Sequence, residues 1–269
     1  MKKCLVLIIL VYSLLNDVFS QSIVAGPVVG AVTDTSAKIL VISTGNDGFL
    51  LVKENDKIVF EEDFEYFLPI KDTINSPLSF EVDNLKPNTV YNYSLTFSLI
   101  NKTFAGSFKT FPKPNTTSNF TFTFGSCSEN FRDDSVFIEM QKHHPDLFLH
   151  LGDWTYPDHA YYPGKPTQNN HRFFVANQEQ IKESFIIRYN LPNMKNMLST
   201  TAVDYVFDDE DGIWDDFSKH SYCDLQLING KIVVKEIPFA DSLRDNLLTS
   251  YHQYFPAYTN PTQPKEAFH

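Results

Sequence analysis

The sequence has 269 residues, which is enough for one large domain or two domains of ordinary size. Hydrophobic residues make up 42% of the chain, so it encodes a packed core and is not an intrinsically disordered protein. The formal net charge of -11 argues against a nucleic-acid-binding surface, because phosphate backbones attract basic surfaces.

The N-terminus has the pattern of a secretory signal peptide, which we assign to residues 1–20. Lys2 and Lys3 precede an apolar run of about a dozen residues that ends at Leu15, and Ser20 is small enough for a cleavage site. A signal anchor is the alternative, but the run is short for a membrane span, and no later stretch is longer. We therefore expect a protein that is secreted or held in the lumen of the secretory pathway, without a transmembrane segment.

Four Asn-x-Ser/Thr tripeptides support export, because such tripeptides accept N-linked glycans in the secretory pathway. One tripeptide is weak evidence, whereas four behind an export signal reinforce one another. They begin at Asn92, Asn101, Asn115 and Asn119. We therefore expect a glycoprotein.

Residues 22–112 contain short apolar stretches separated by turn residues, which predicts an N-terminal β-sandwich domain. The predicted strands include Ala37–Ser43, Phe49–Lys53, Leu78–Val82 and Thr103–Phe111. The stretch Leu85-x-Pro-x-Thr-x-Tyr91-x-Tyr93 resembles a strand entry of fibronectin type III domains, and we interpret Tyr91 as a packing residue. We assign the acidic stretch Glu61–Glu65 to the solvated surface.

After a polar linker with prolines, residues 119–269 alternate predicted strands and helices, which is the order of an α/β domain. The predicted elements are strands at Phe120–Phe124, Asp146–Leu151 and Val203–Phe207, and helices at Asp133–His143 and Gln168–Tyr189. Ligands of open α/β sheets bind beyond the carboxyl ends of the strands. The residues that follow these strands are therefore the candidates for chemistry.

Side chains that can bind a metal follow each of these three strands. Cys127 follows the first strand, Asp153 and Tyr156 follow the second, and Asp208 and Asp209 follow the third. A carboxylate on a turn that begins with glycine can bridge two metal ions, and a set of thiolate, carboxylate and phenolate suits Fe(III). The alternative is that Asp153 caps a helix and that Tyr156 is a surface aromatic residue.

The cysteines leave two interpretations open. Cys4 belongs to the predicted signal peptide, so Cys127 and Cys223 remain in the mature chain. In an oxidising compartment these two residues can form a disulfide. Alternatively Cys127 is a metal ligand, in which case we expect it within ligand reach of Asp153 and Tyr156.

Other polar residues have structural interpretations. His150 alternates with an apolar neighbour in a predicted strand and is interpreted as a core histidine, while His143 and His144 form a polar helix end. Arg188 lies on the longer predicted helix, where it contacts phosphate or pairs with acidic residues.

Three motifs carry a resemblance to a known family. They are Phe124-Gly-Ser-Cys127-Ser, Gly152-Asp153-Trp-Thr-Tyr156 and Val206-Phe-Asp-Asp209-Glu-Asp211. In combination and order they resemble the motifs of the PhoD-like (alkaline phosphatase D) metallophosphatases. The resemblance implies an α/β protein with an N-terminal all-β domain, in which a fibronectin-like β-sandwich precedes a calcineurin-like metallophosphoesterase α/β sandwich.

The resemblance also implies a function and a set of ligands. The function is a secreted, metal-dependent hydrolase of small phosphate monoesters or diesters, with iron and calcium as cofactors. Cys127 and Tyr156 would ligate iron, Asp153 would bridge iron and calcium, and Asp209 would bind the second metal with Asp208 beside it.

Two departures from the family pattern bear on activity. Glu210 stands where the family has a histidine that donates a proton toward the phosphate, and an ionised glutamate cannot donate one. The sequence ends at His269, before the family's later aspartate and histidine ligands, so we expect an incomplete two-metal site and weak or no activity of this chain alone. The alternative function is a catalytically inactive glycoprotein with a binding or structural role.

Overall fold

The structure is a computed structural model. It describes residues 23–43, 47–65, 76–98, 102–128, 133–156, 178–206, 208, 211, 221–229, 231–238 and 249–258. The predicted signal peptide and Asn101 lie outside these ranges. Among the described residues, no helix is long and apolar enough to cross a membrane.

The N-terminal strands form a β-sandwich. They are β1 (Ile23–Gly30), β2 (Ala37–Ser43), β3 (Asp47–Glu54), β4 (Lys57–Glu65), β5 (Ser76–Val82), β6 (Val90–Phe97) and β7 (Lys102–Lys109). Strands β1, β2 and β5 pair in an antiparallel manner, and they face an antiparallel sheet of order β4-β3-β6-β7. This arrangement confirms the predicted β-sandwich.

Tyr91 packs as predicted, at the entry to β6. Its ring is buried and stacks on Phe108 with 5.5 Å between the ring centroids. The backbone N–H of Lys86 donates a hydrogen bond to the Tyr91 hydroxyl at 2.8 Å. A tyrosine that fixes the chain before its own strand is a recurrent feature of immunoglobulin-like sandwiches.

The second half of the chain supplies three parallel strands and three helices with defined bounds in the described part. In chain order the elements are β8 (Phe122–Gly125), α1 (Val136–Gln141), β9 (Leu147–His150), α2 (Gln178–Asn190), α3 (Pro192–Thr200), β10 (Ala202–Tyr205), β11 (Ser221–Ile228) and β12 (Lys231–Pro238). Strands β8, β9 and β10 are parallel neighbours, and β11 and β12 form a separate antiparallel pair.

One sheet runs through both halves of the chain, in the order β5-β2-β1-β10-β9-β8. The link is a parallel pairing of β1 with β10, in which Gly30 lies opposite Val203. The sequence predicted two domains, with boundaries at 112 and 119, and did not predict this shared sheet. The division into domains stays a prediction.

Strand β2 shows how the layers are built, because its alternate residues enter different cores. Ile39 and Val41 pack between the two sheets of the sandwich, whereas Leu40 and Ile42 pack in a core that contains residues of α2 and α3. A strand covered on both faces is apolar throughout, which explains its continuous hydrophobic sequence.

The sandwich is also tied to the α/β part by polar contacts. The buried hydroxyl of Tyr93 donates a hydrogen bond to the carbonyl oxygen of Ser199 at 3.0 Å. The Nζ atom of Lys109 lies 2.9 Å from the Asp146 carboxylate at the start of β9. These contacts hold the region where β9 and β10 begin. The predicted ligands lie at the other end, beyond the carboxyl ends of the same strands.

The helices differ from the predicted spans. Helix α1, Val136–Gln141, is shorter at both ends than the predicted Asp133–His143. At its C-terminal end, φ 47° at His144 and the following Pro145 prevent the helix from continuing. His143 and His144 are exposed beyond the helix end, as predicted. The part of the predicted helix Gln168–Tyr189 that precedes residue 178 lies outside the described residues.

Candidate metal centre

The three predicted ligand loops leave the sheet at the same level. Gly125 and Tyr205 both lie opposite His150, so β8, β9 and β10 end side by side. Because these strands are parallel, the loops that carry Cys127 and Asp153 emerge at one edge of the sheet. The same edge receives the loop with Asp208.

The first two loops are joined by backbone hydrogen bonds. Leu151 N–H donates to the Gly125 carbonyl at 2.7 Å, and Cys127 N–H donates to the Gly152 carbonyl at 3.2 Å. Cys127 and Asp153 both have left-handed backbone conformations, with φ 56° and 57°. Such conformations are uncommon outside glycine and are concentrated at functional sites.

The Asp153 carboxylate has one engaged oxygen and one open oxygen. The buried Tyr156 hydroxyl donates a hydrogen bond to Asp153 Oδ2 at 3.2 Å. Asp153 Oδ1 is buried and has no hydrogen-bond partner in the described part of the chain. A buried carboxylate oxygen without a donor is unfavourable, and a bound cation would relieve that cost. The arrangement therefore fits a metal ligand.

Gly152 allows the third loop to approach the second. A Cβ atom built on Gly152 would lie 2.7 Å from Cβ of Asp208, and the backbone adopts φ 104° at this glycine. Both the space and the conformation therefore require glycine. The Asp208 side chain sits directly over the turn that presents Asp153.

Asp211 fixes the position of Asp208. Its buried carboxylate accepts hydrogen bonds from the backbone N–H groups of Thr155, at 2.7 Å, and Asp208, at 3.2 Å. Burial raises the pKa of Asp211 well above its usual range. The sequence named Asp211 only as part of a motif, and its spacing of three residues from Asp208 was the available signal for this role.

Cys127 is a free, exposed thiol. The neighbouring Ser126 lowers the pKa of Cys127, but burial and the nearby carboxylates of Asp153 and Asp208 together raise it above the usual value. The thiol is therefore protonated at neutral pH, and a metal ion would have to displace its proton.

His150 and Arg188 lie behind these loops. His150 is a core residue, as predicted, and burial and the charge of Arg188 lower its pKa to about 3, so it is neutral. Arg188 was expected to contact phosphate or pair with acidic residues. Its guanidinium is fully buried and donates a hydrogen bond to the Ser128 carbonyl at 2.6 Å. Its burial places it away from any substrate in solution.

The structure describes four of the five predicted metal ligands. Cys127, Asp153, Tyr156 and Asp208 lie at one edge of the sheet, whereas Asp209 and Glu210 lie outside the described residues. Within the described ranges, no group of three or more His, Cys, Asp and Glu side chains is arranged to hold a metal ion. Metal ligation by any of these residues stays a prediction.

Comparison with solved structures identifies the fold. The structure of PhoD matches 90% of this chain with a TM-score of 0.65 at 18% sequence identity, and this chain spans 48% of the length of that structure. The match confirms the predicted PhoD-like fold, a β-sandwich joined to an α/β part. At this identity it shows a shared fold and not a shared activity.

Other structural matches are weaker. The sensor domain of the anti-sigma factor RsgI4 of Pseudobacteroides cellulosolvens has a TM-score of 0.26, over 36% of this chain and 100% of its own, at 23% identity. The β-glucuronidase of Parabacteroides merdae has a TM-score of 0.31, over 87% of this chain and 32% of its own, at 10% identity. Neither supports a functional argument. No family model and no curated protein matches the sequence.

Proposed function

We propose that the chain forms the iron-binding side of a secreted, metal-dependent phosphate-ester hydrolase. The observation that carries the proposal is the position of Cys127, Asp153 and Tyr156 at the ends of adjacent parallel strands, with Oδ1 of Asp153 buried and without a hydrogen-bond partner among the described residues. The PhoD-like fold supports the same function.

The donor set suits two different metal ions. Cys127, Tyr156 and Asp153 offer a thiolate, a phenolate and a carboxylate, which together suit Fe(III). Asp153 would also bridge to calcium, for which Asp208 and Asp209 would supply oxygen ligands. When bound, the two metals would supply an activated hydroxide and would neutralise charge on the phosphoryl oxygens.

The chain's own residues prepare this site. Tyr156 orients Asp153 through its hydroxyl, and Asp211 holds the backbone of Asp208. Cys127 and Tyr156 must each lose a proton to become ligands, so metal binding would release protons and strengthen as pH rises. Because the net charge is -11, attraction of an anionic substrate would depend on local positive charge from the metals. The proposed substrates are small phosphate monoesters or diesters.

The second candidate function is a non-catalytic glycoprotein with a binding or structural role. Glu210 in place of the family histidine favours it, because glutamate would repel the substrate phosphate. The Asn-x-Ser/Thr tripeptides are compatible with both candidates. The side chains of Asn92, Asn115 and Asn119 are exposed and therefore accessible to glycans.

An assay with matched variants separates the two candidates. The full chain, supplied with iron and calcium, is incubated with p-nitrophenyl phosphate and bis-p-nitrophenyl phosphate. We expect slow hydrolysis that stops on chelation and is absent from Asp153→Asn. Hydrolysis no faster than that of Asp153→Asn, from a chain that binds iron, would instead favour the non-catalytic glycoprotein.

A further inference from the structure

Arg188 contacts Ser128 and Trp154, two residues that directly follow predicted metal ligands. Its side chain, in the last turn of α2, is 0% exposed. Its Nη1 group donates a hydrogen bond to the carbonyl of Ser128 at 2.6 Å, and its guanidinium carbon lies 5.0 Å from the centroid of the Trp154 ring. Ser128 directly follows Cys127, and Trp154 directly follows Asp153.

The guanidinium of Arg188 keeps its charge in the interior. Burial lowers the pKa of Arg188 to about 10, which is still well above neutral pH. One buried cation therefore contacts both loops, at Ser128 and at Trp154.

The burial of this charge needs an explanation. Removing a guanidinium from water is costly. A well-packed apolar residue of similar volume often gives a folded protein the same stability as a buried charged residue, or a greater one. Arg188 Nε has no hydrogen-bond partner among the described residues, so its burial is only partly compensated. The Nη2 atom of Arg188 lies 3.4 Å from Nε2 of the neutral His150. Because a guanidinium can only donate hydrogen bonds, Nε2 of His150 is the acceptor in this contact. An apolar side chain could not donate a hydrogen bond to the Ser128 carbonyl or place a positive charge over the Trp154 ring.

We infer that Arg188 is a positioning residue, whose guanidinium holds the loops of Cys127 and Asp153 in one geometry before a metal binds. The purpose of this arrangement rests on the proposed function. The restraint itself is a property of the metal-free chain, so it can be measured whether or not the chain hydrolyses phosphate esters.

Amide hydrogen exchange tests the restraint directly, because the Cys127 N–H donates to the Gly152 carbonyl. The full chain with isotope-labelled cysteine reports the amides of Cys127 and Cys223 separately, and Cys223 in β11 serves as an internal reference. We expect Arg188→Lys to accelerate exchange at Cys127 by about tenfold relative to Cys223, since a lost hydrogen bond to a charged group has an effect of at least this size. In Arg188→Ala, added guanidinium ions should restore slow exchange at Cys127.

Tyr93→Phe is the matched control for a general loss of stability. Tyr93 is buried in β6, and its hydroxyl donates to the carbonyl of Ser199 in α3 at 3.0 Å, a contact that involves none of the ligand loops. We expect this variant to leave the ratio of the two exchange rates unchanged. An equal change in Tyr93→Phe and Arg188→Lys would reduce Arg188 to a general packing role and overturn the inference.

Iron binding by the same variants separates this inference from the proposed function. We expect weaker binding and an altered phenolate charge-transfer band in Arg188→Lys. A wild-type exchange rate at Cys127 in both Arg188 variants would overturn the positioning role, whatever metal the chain binds. Faster exchange in a chain whose wild type binds no iron would uphold the positioning role and refute the proposed function.

Discussion

Asp153→Asn should weaken the binding of Fe(III) by about 100-fold or more, since even groups that only support metal ligands change affinity about 10- to 100-fold. The substitution removes the negative charge and exchanges one of the two carboxylate oxygens for an amide NH2 group, which does not bind a cation. It also creates an Asn-x-Thr tripeptide with Thr155, so this variant and its control are produced in a host without N-glycosylation. It should not strain the backbone, because asparagine tolerates the φ of 57° found at Asp153. Competition with a chelator of known affinity measures the change.

Asp56→Asn is the matched control for this variant. Asp56 is exposed in the turn between β3 and β4 and has φ 67°, so the same charge is removed from a similar backbone conformation far from the candidate centre. We expect its affinity for Fe(III) to equal that of the wild type. Equal affinities of the wild type and both variants would exclude Asp153 as a ligand.

Trp154→Ala should lower the free energy of unfolding by about 3–5 kcal/mol, the usual cost of truncating a buried aromatic residue. Trp154 is fully buried, stacks on Tyr205 at 5.5 Å between centroids, and meets Phe255 edge-on at 5.6 Å. It directly follows Asp153, so its packing also anchors the proposed bridging ligand. Urea unfolding followed by circular dichroism measures the loss.

Phe122→Ala is the control for the removal of an aromatic ring. Phe122 belongs to the edge strand β8 and is 54% exposed, so we expect its truncation to change the free energy of unfolding by about 0.5 kcal/mol or less. Similar losses in the two variants would show that Trp154 does not have the central packing role described above.

The position of the candidate centre was predictable from the sequence. The predicted strands Phe120–Phe124, Asp146–Leu151 and Val203–Phe207 correspond to β8, β9 and β10, and the rule that sites lie beyond the carboxyl ends of such strands placed Cys127 and Asp153 at one edge. Strand β2, with its continuous apolar run, was predicted with the bounds that the structure has, Ala37–Ser43.

Strand β4 was missed because of its composition. It contains the acidic stretch Glu61–Glu65, and most of its side chains are exposed, with Phe64 buried. An edge strand with so little buried surface resembles a solvated loop in sequence. Helix α3 was also missed, although Pro192 in its first turn and the buried Met194, Met197 and Leu198 carried a usable signal.

Features that depend on distant parts of the chain were not predictable. The pairing of Gly30 with Val203 joins strands far apart in sequence, and no local pattern encodes it. The burial of Arg188 also depends on tertiary packing, because an arginine on a helix is usually exposed. Only the assembled loops show that its guanidinium reaches Ser128 and Trp154.

The most direct test of the central claim is a crystal structure of the full chain soaked in Fe(III), with iron located by its anomalous scattering. We expect an iron peak within about 2.5 Å of Sγ of Cys127, a carboxylate oxygen of Asp153 and the phenolate oxygen of Tyr156. Iron bound elsewhere, or a Cys127 sulfur bonded to Cys223, would contradict the proposed metal centre.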